Sequence, residues 1–93
     1  MDVYSQIAVK IIASQEAIIG PVAVEQAQRV AGLTVNWKEH QVTIEGNGVK
    51  ILDELIAQYR ELFGQISIEV CKEAASGLID QLPADGLPKS LAA

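Results

Sequence analysis

The sequence predicts an α+β chain of mostly helical type, in which two repeated helical hairpins flank a central β-hairpin in the order ααββαα. Three observations carry this expectation. Apolar residues recur at helical spacing over most of the chain, the stretch 33–45 alternates apolar and polar with period two, and residues 5–32 align on residues 49–76 without a gap.

The first helix spans about 3–19. Val3, Tyr4, Ile7, Ala8, Ile11, Ile12, Ile18 and Ile19 fall within one half of a 3.6-residue wheel, while Asp2, Gln6, Lys10 and Glu16 mostly take the other half. Gly20-Pro21 ends it, because glycine suits the left-handed position after a helix and proline the first turn of the next. A second helix over about 21–31 carries Val22, Ala23, Ala27, Val30 and Ala31, with Glu25 and Arg29 as a pair one turn apart, and Gly32 closes it. Its small side chains allow a neighbouring helix to approach closely.

Residues 33–37 and 42–45 read as half-buried strands joined by Lys38-Glu39-His40-Gln41. Leu33, Val35, Trp37, Val42 and Ile44 face inward. After the turn Gly46-Asn47-Gly48, a third helix over about 49–63 places Leu52, Leu55, Ile56, Tyr59, Leu62 and Phe63 on one stripe. Gly64 breaks it. A fourth helix over about 66–81 runs through Cys71, Ala74, Ala75, Leu78 and Leu82, and the tail from Pro83 is expected to dock loosely. The whole is one domain, 1–93, with repeat one at about 3–32, the β-hairpin at about 33–45, repeat two at about 49–82 and the tail at 83–93.

The alignment of the two halves is more than shared amphipathicity. Shifting by 44 residues lays Ile18-Ile19-Gly20 on Leu62-Phe63-Gly64, and it matches Glu25 with Glu69, Ala27 with Cys71 and Ala31 with Ala75. Glycine meeting glycine at the junction is not required by periodicity alone. Each hairpin pairs a long helix with a small-faced one and cannot bury its own apolar side, so the two are expected to pack about a pseudo-two-fold axis.

The junction Ile19-Gly20-Pro21-Val22-Ala23, an I-G-P-x-A turn with a degenerate copy in Phe63, Gly64, Gln65 and Ser67, resembles small helical-hairpin modules appended to bacterial signalling proteins, Ser/Thr kinases among them. The resemblance covers the two hairpins and not the strands, and the second copy lacks the proline. It implies a signalling accessory and no enzymatic activity.

Composition narrows the function. The net charge is −5 and the seven Lys and Arg are scattered singly, which excludes the clustered cations that phosphate backbones require. No apolar run reaches the ~18–20 residues of a membrane span, and Lys10 is the single basic residue of the first helix, too few for a surface binder. Met1-Asp2 opens without the basic and apolar stretches of a secretory signal, and one cysteine forms no internal disulfide, so a cytoplasmic setting is expected.

Few residues offer chemistry. His40 is the only histidine, with Glu39 and Glu45 as the carboxylates of its hairpin, and a solvated turn residue explains it. Cys71 sits on an apolar stripe among small residues and reads as a core thiol, not a nucleophile. One Cys and one His cannot supply four zinc ligands. Glu69 and Glu73 stand one turn apart and Asp53-Glu54 are adjacent, but Lys72 and Lys50 intersperse them as on an ordinary solvated face. Gly46-Asn47-Gly48 lacks the Lys and Ser/Thr of a phosphate loop.

No catalytic residue, cofactor or metal is therefore expected, and Gly20, Pro21 and Gly64 are structural turn residues. The leading expectation is a non-catalytic interaction module. The aliphatic surplus of a short chain exceeds what about 60–65% surface burial hides, so a homodimer is expected, with Tyr4, Ile7, Ile11 and Ile18 as its interface and a further protein partner that the sequence does not name. The alternative is a small-ligand binder with a site at Trp37, Glu39, His40 and Glu45.

Overall fold

A computed structural model describes residues 2–83 and 85–92. The chain is mostly helical with a small antiparallel sheet: α1 (Val3–Ile19), α2 (Val22–Ala27), β1 (Leu33–Asn36), β2 (Gln41–Ile44), α3 (Gly48–Phe63) and α4 (Gln65–Ala75). Short 3₁₀ turns lie at Trp37–Glu39, Ile79–Gln81 and Lys89–Leu91.

The long helices begin alike. The Asp2 carboxylate accepts from the Ser5 N–H at 2.9 Å, and the Asn47 side chain accepts from the Lys50 N–H at 3.2 Å. Each side chain satisfies one of the amide donors that a helix start leaves unpaired. They end alike too. Gly20 has φ 75° and ψ −155°, Gly64 has φ 75° and ψ −158°, and each donates its N–H to the carbonyl four residues back, on Glu16 and Arg60.

The buried faces of α1 and α3 coincide position by position. Ile7, Ala8, Ile11, Ile12 and Gln15 are buried in one, and Ile51, Leu52, Leu55, Ile56 and Tyr59 in the other. Against them pack the small residues Ala23 and Ala27 of α2, and Ser67 and Cys71 of α4. The sheet closes the core with Leu33 and Val42. Its register pairs Leu33 with Ile44 and Val35 with Val42, leaving Thr34 and Thr43 outward.

Four expectations need correction. The second helix stops at Ala27, short of 31. From Arg29 onward the backbone bonds close over three residues instead of four, and Gly32 at φ 84° turns the chain into β1. A Cβ at Gly32 would stand 2.7 Å from the Glu45 carbonyl oxygen, so the close strand approach there needs glycine. The fourth helix ends at Ala75, and a separate 3₁₀ turn covers Ile79–Gln81.

Leu62 and Phe63 leave the core stripe and are 49% and 42% exposed, since the chain turns at Gly64 before a neighbour can cover them. The tail, finally, is held against the body. The Tyr4 hydroxyl donates to the Gly86 carbonyl at 2.8 Å, the Asp53 carboxylate accepts from the Lys89 and Ser90 N–H groups at 3.3 and 3.0 Å, and Leu91 is buried.

Candidate functional site

The large hydrophobic side chains left in solvent are Ile18, Val22, Leu62, Phe63 and Ile66, and all of them flank the two junction glycines. At the 44-residue offset Ile18 corresponds to Leu62 and Val22 to Ile66. Both junctions lie at one end of the molecule, because Ile18 and Ile19 of α1 share a cavity of about 200 Å³ with Phe63, Ile66 and Val70. Gln15 and Ser67 also line it.

Two long-range hydrogen bonds fix this end. The Gln15 amide donates to the Ser67 carbonyl at 3.3 Å, tying α1 to the start of α4, and the Tyr59 hydroxyl donates to the Ala23 carbonyl at 2.6 Å, tying α3 to the start of α2. Between Ala17 and Val24, and again between Leu62 and Ile68, no residue carries a formal charge. Such an uncharged, exposed aliphatic surface is the kind that marks contact with another molecule. An open groove of about 570 Å³ continues from it along the seam of α1 and α4, from Ile18 and Val70 past Ala13, Ala17 and Ala74 to Lys10 and Glu73.

The interface residues expected from the sequence are therefore split. Ile18 is 63% exposed, but Ile7 and Ile11 are fully buried inside the chain and cannot meet a partner. Tyr4 is half-buried and engaged with the tail. The error has a physical origin: the wide apolar face of α1 is covered from several sides, by α2, α4, β2 and α3. The signal that goes with the exposed apolar residues is the uncharged run around each junction glycine, which the hydrophobic count alone does not separate from core.

The hairpin candidates are divided between the two ends of β2. Trp37 and His40 lie with ring centroids 4.6 Å apart and planes tilted by 51°, and the Trp37 indole N–H donates to a Glu16 carboxylate oxygen at 3.0 Å. His40 has φ 52° and ψ 43°, the left-handed conformation that ends the 3₁₀ turn, and it is exposed, as is Glu39. Glu45 lies at the opposite end of β2, about 16 Å of extended chain from His40. There it lines a separate open cavity with Lys50 and Glu54. Trp37, Glu39 and His40 line none of these three cavities.

The thiol lies inside the core. Cys71 is fully buried; burial pushes its thiol up to about 11, opposed by a hydrogen bond from the Gln15 amide at 3.5 Å. Burial, aided by the nearby Cys71, also raises the Tyr59 hydroxyl well above its ordinary value. Among the described residues no three His, Cys, Asp or Glu side chains come together as a metal site, and no helix is long and apolar enough to cross a membrane. Comparison of the chain with protein-family models, with curated proteins and with solved structures finds no match.

Proposed function

We propose that this chain is a non-catalytic protein–protein interaction module that works as a homodimer, an adaptor or signalling accessory of the cytoplasm. In this reading it is built from two copies of one helical hairpin with a β-hairpin inserted between them, ααββαα. The observation that carries the interaction role is the cluster of Ile18, Val22, Leu62, Phe63 and Ile66 at one uncharged end.

An aromatic side chain such as Phe63 carries about 150–250 Å² of surface and the aliphatic ones somewhat less, so the five at roughly half exposure present roughly 450 Å² of apolar area. That lies within the roughly 300–600 Å² that the largest patch on a monomer usually reaches, where a patch is often functional. A closed two-fold pair is the commonest way for a small soluble chain to hide such a surface. The free, buried Cys71 fits a reducing compartment. The I-G-P-x-A turn at Ile19–Ala23 supports the signalling assignment, and a protein partner beyond the second copy goes with that role.

Sedimentation velocity at micromolar to hundreds-of-micromolar concentration tests the proposal. A concentration-dependent shift to twice the monomer mass is expected. A monomer across the whole range removes the homodimer.

A further inference from the structure

The two long helix seams of this molecule are not equivalent, and their difference is informative because the repeat supplies an internal comparison. Along α1 and α4 the groove is lined by Ala17, Ser14 and Val70. At the corresponding positions, 44 residues away, stand Glu61, Gln58 and Gln26, while Lys10 and Glu73 correspond to Glu54 and Arg29, so the seams differ in their small uncharged residues and not in having a charge pair. Packing of the hairpins does not need an apolar seam, since the α2 and α3 side carries polar residues at these three places above buried positions that match in place but not in residue. The α1 and α4 side has kept small, uncharged residues on a solvent-facing surface, with one exposed cation, Lys10, on one wall and one exposed anion, Glu73, on the other. Neither of these side chains has an ion-pair partner within the chain among the described residues.

We propose that a second copy of this chain docks on the groove between α1 and α4, with the two-fold axis along the groove, so that Lys10 of each copy lies over Glu73 of the other. A two-fold axis in that direction keeps the position along the groove and exchanges its walls. Lys10 on the α1 wall therefore meets Glu73 on the α4 wall twice over, and the Ile18 end of one copy meets the Val70 end of the other. This is the self-complementarity that an isologous interface demands, residue i on j and j on i.

Helix directions agree with it. α4 runs back along α1 from the contact of Gln15 with Ser67 toward Lys10 and Glu73, so α1 of one copy lies antiparallel on α4 of the other. The small residues of the seam let the helices approach closely. The shorter helix sets the size of the face: the 11 residues of α4 make about 16 Å, and two helices of about 10 Å diameter side by side give roughly 300 Å² in projection. A face of that size belongs to the small, weakly associating class of interface, which is why the association is looked for up to hundreds of micromolar.

The inference rests on the homodimer reading above and names its face, which takes in Ile18 of the exposed cluster and leaves Val22, Leu62, Phe63 and Ile66 beside it for the further partner. The test is a charge exchange, read as the dimer dissociation constant by sedimentation. In Lys10→Glu each homodimer would hold two anionic pairs, and in Glu73→Lys two cationic pairs; each variant is expected to dissociate about tenfold more readily than the wild type. Mixing the two single variants gives a heterodimer with both pairs restored and is expected to recover wild-type affinity. An interaction within one chain cannot be rescued by mixing, so weakened variants that stay weak together overturn the proposal.

Ala17→Glu imports the residue found at the equivalent position of the other seam and is expected to abolish the dimer while melting as the wild type does. A dimer that survives all three substitutions unchanged overturns this face and leaves the homodimer standing. A wild-type chain that stays monomeric overturns both.

Discussion

Gln15 and Tyr59 hold the same place in the two hairpins. Each reaches across to the opposite hairpin and donates to the carbonyl at its matching position, Gln15 to Ser67 at 3.3 Å and Tyr59 to Ala23 at 2.6 Å. Two side chains of different chemistry thus perform one bond at related sites. The core beneath them is apolar, so these two donors are what fixes how far each long helix slides along the second helix of the other hairpin. Direction is supplied by the bonds, and most of the stabilisation by the aliphatic residues around them.

The two bonds are not equally strong. The Tyr59 contact is short and buried, and its loss removes a donor from a carbonyl that water does not reach. Tyr59→Phe is expected to cost about 1–2 kcal/mol. Gln15→Met swaps a long amide for an apolar side chain of similar size, removes a longer bond and leaves less polar surface to satisfy, so a change under about 1 kcal/mol is expected. Urea denaturation of both variants checks the order. Equal losses would mean that the two sites are not distinguished by bond geometry.

The junction glycines hold a backbone conformation that strains any other residue, and they have space around them. At φ 75° with ψ near −155°, Gly20 and Gly64 occupy a region that is essentially glycine's alone, yet a Cβ at either would meet nothing within 4 Å. The cost of a side chain is then conformational and not steric. Gly20→Ala and Gly64→Ala are each expected to destabilise by about 1–3 kcal/mol. For a domain of this size that lowers the melting temperature by roughly 4–8 °C per kcal/mol. Unchanged melting curves in both would refute the backbone assignment of the two helix ends.

This much of the fold was legible because local rules agreed with tertiary ones. The glycine-to-glycine match and the shared stripe of α1 and α3 appear in the sequence as a 44-residue offset and recur in the buried sets Ile7–Gln15 and Ile51–Tyr59. The ends of α2 and α4 were not legible. Val30, Ala31 and Leu78 keep helical spacing, but the chain must turn through Gly32 to reach β1, and after Ala75 it passes through Ser76 and Gly77 before its next turn. Nor could periodicity rank the apolar residues of α1. Ile7 and Ile18 look alike on a wheel, and only the neighbours that cover the first and spare the second separate core from surface. The hold of Asp53 on the tail is a contact between residues far apart in sequence, with no local signature.

Alkali should weaken the fold through Cys71. Its thiol titrates near 9.0 when free and is pushed to about 11 by burial. Below pH 9 both states hold the proton and stability does not depend on this group. Between about 9 and 11 the unfolded chain loses the proton while the folded one keeps it, so stability falls as pH rises, with a slope approaching about 1.4 kcal/mol per pH unit. Tyr59, whose hydroxyl is also raised by burial, adds to the loss above its ordinary value of 10.0. Cys71→Ala should flatten the profile between pH 9 and 10, while native Cys71 should label with a thiol reagent only as fast as the chain opens. A wild-type profile as flat as that of the variant would contradict the buried placement of the thiol.

The exposed junction residues should separate folding from association. Ile66 is 70% exposed and Ile18 is 63% exposed, so neither contributes much to the monomer core. Replacing either by glutamate removes no packed side chain and adds a charge that water can solvate. The melting temperature measured at low micromolar concentration is therefore expected to stay within the small range of ordinary surface substitutions, about ±0.5 kcal/mol. Association tells the opposite story. In a two-fold pair every substitution appears twice, and a carboxylate forced into an apolar contact keeps its hydration only if the contact opens. Ile18→Glu lies on the proposed groove and should dissociate the dimer fully, whereas Ile66→Glu, farther along the uncharged end, should weaken it less. Sedimentation and melting on the same samples decide the matter. A variant that loses stability without losing association would place these side chains in the core and remove the surface on which the interaction role depends.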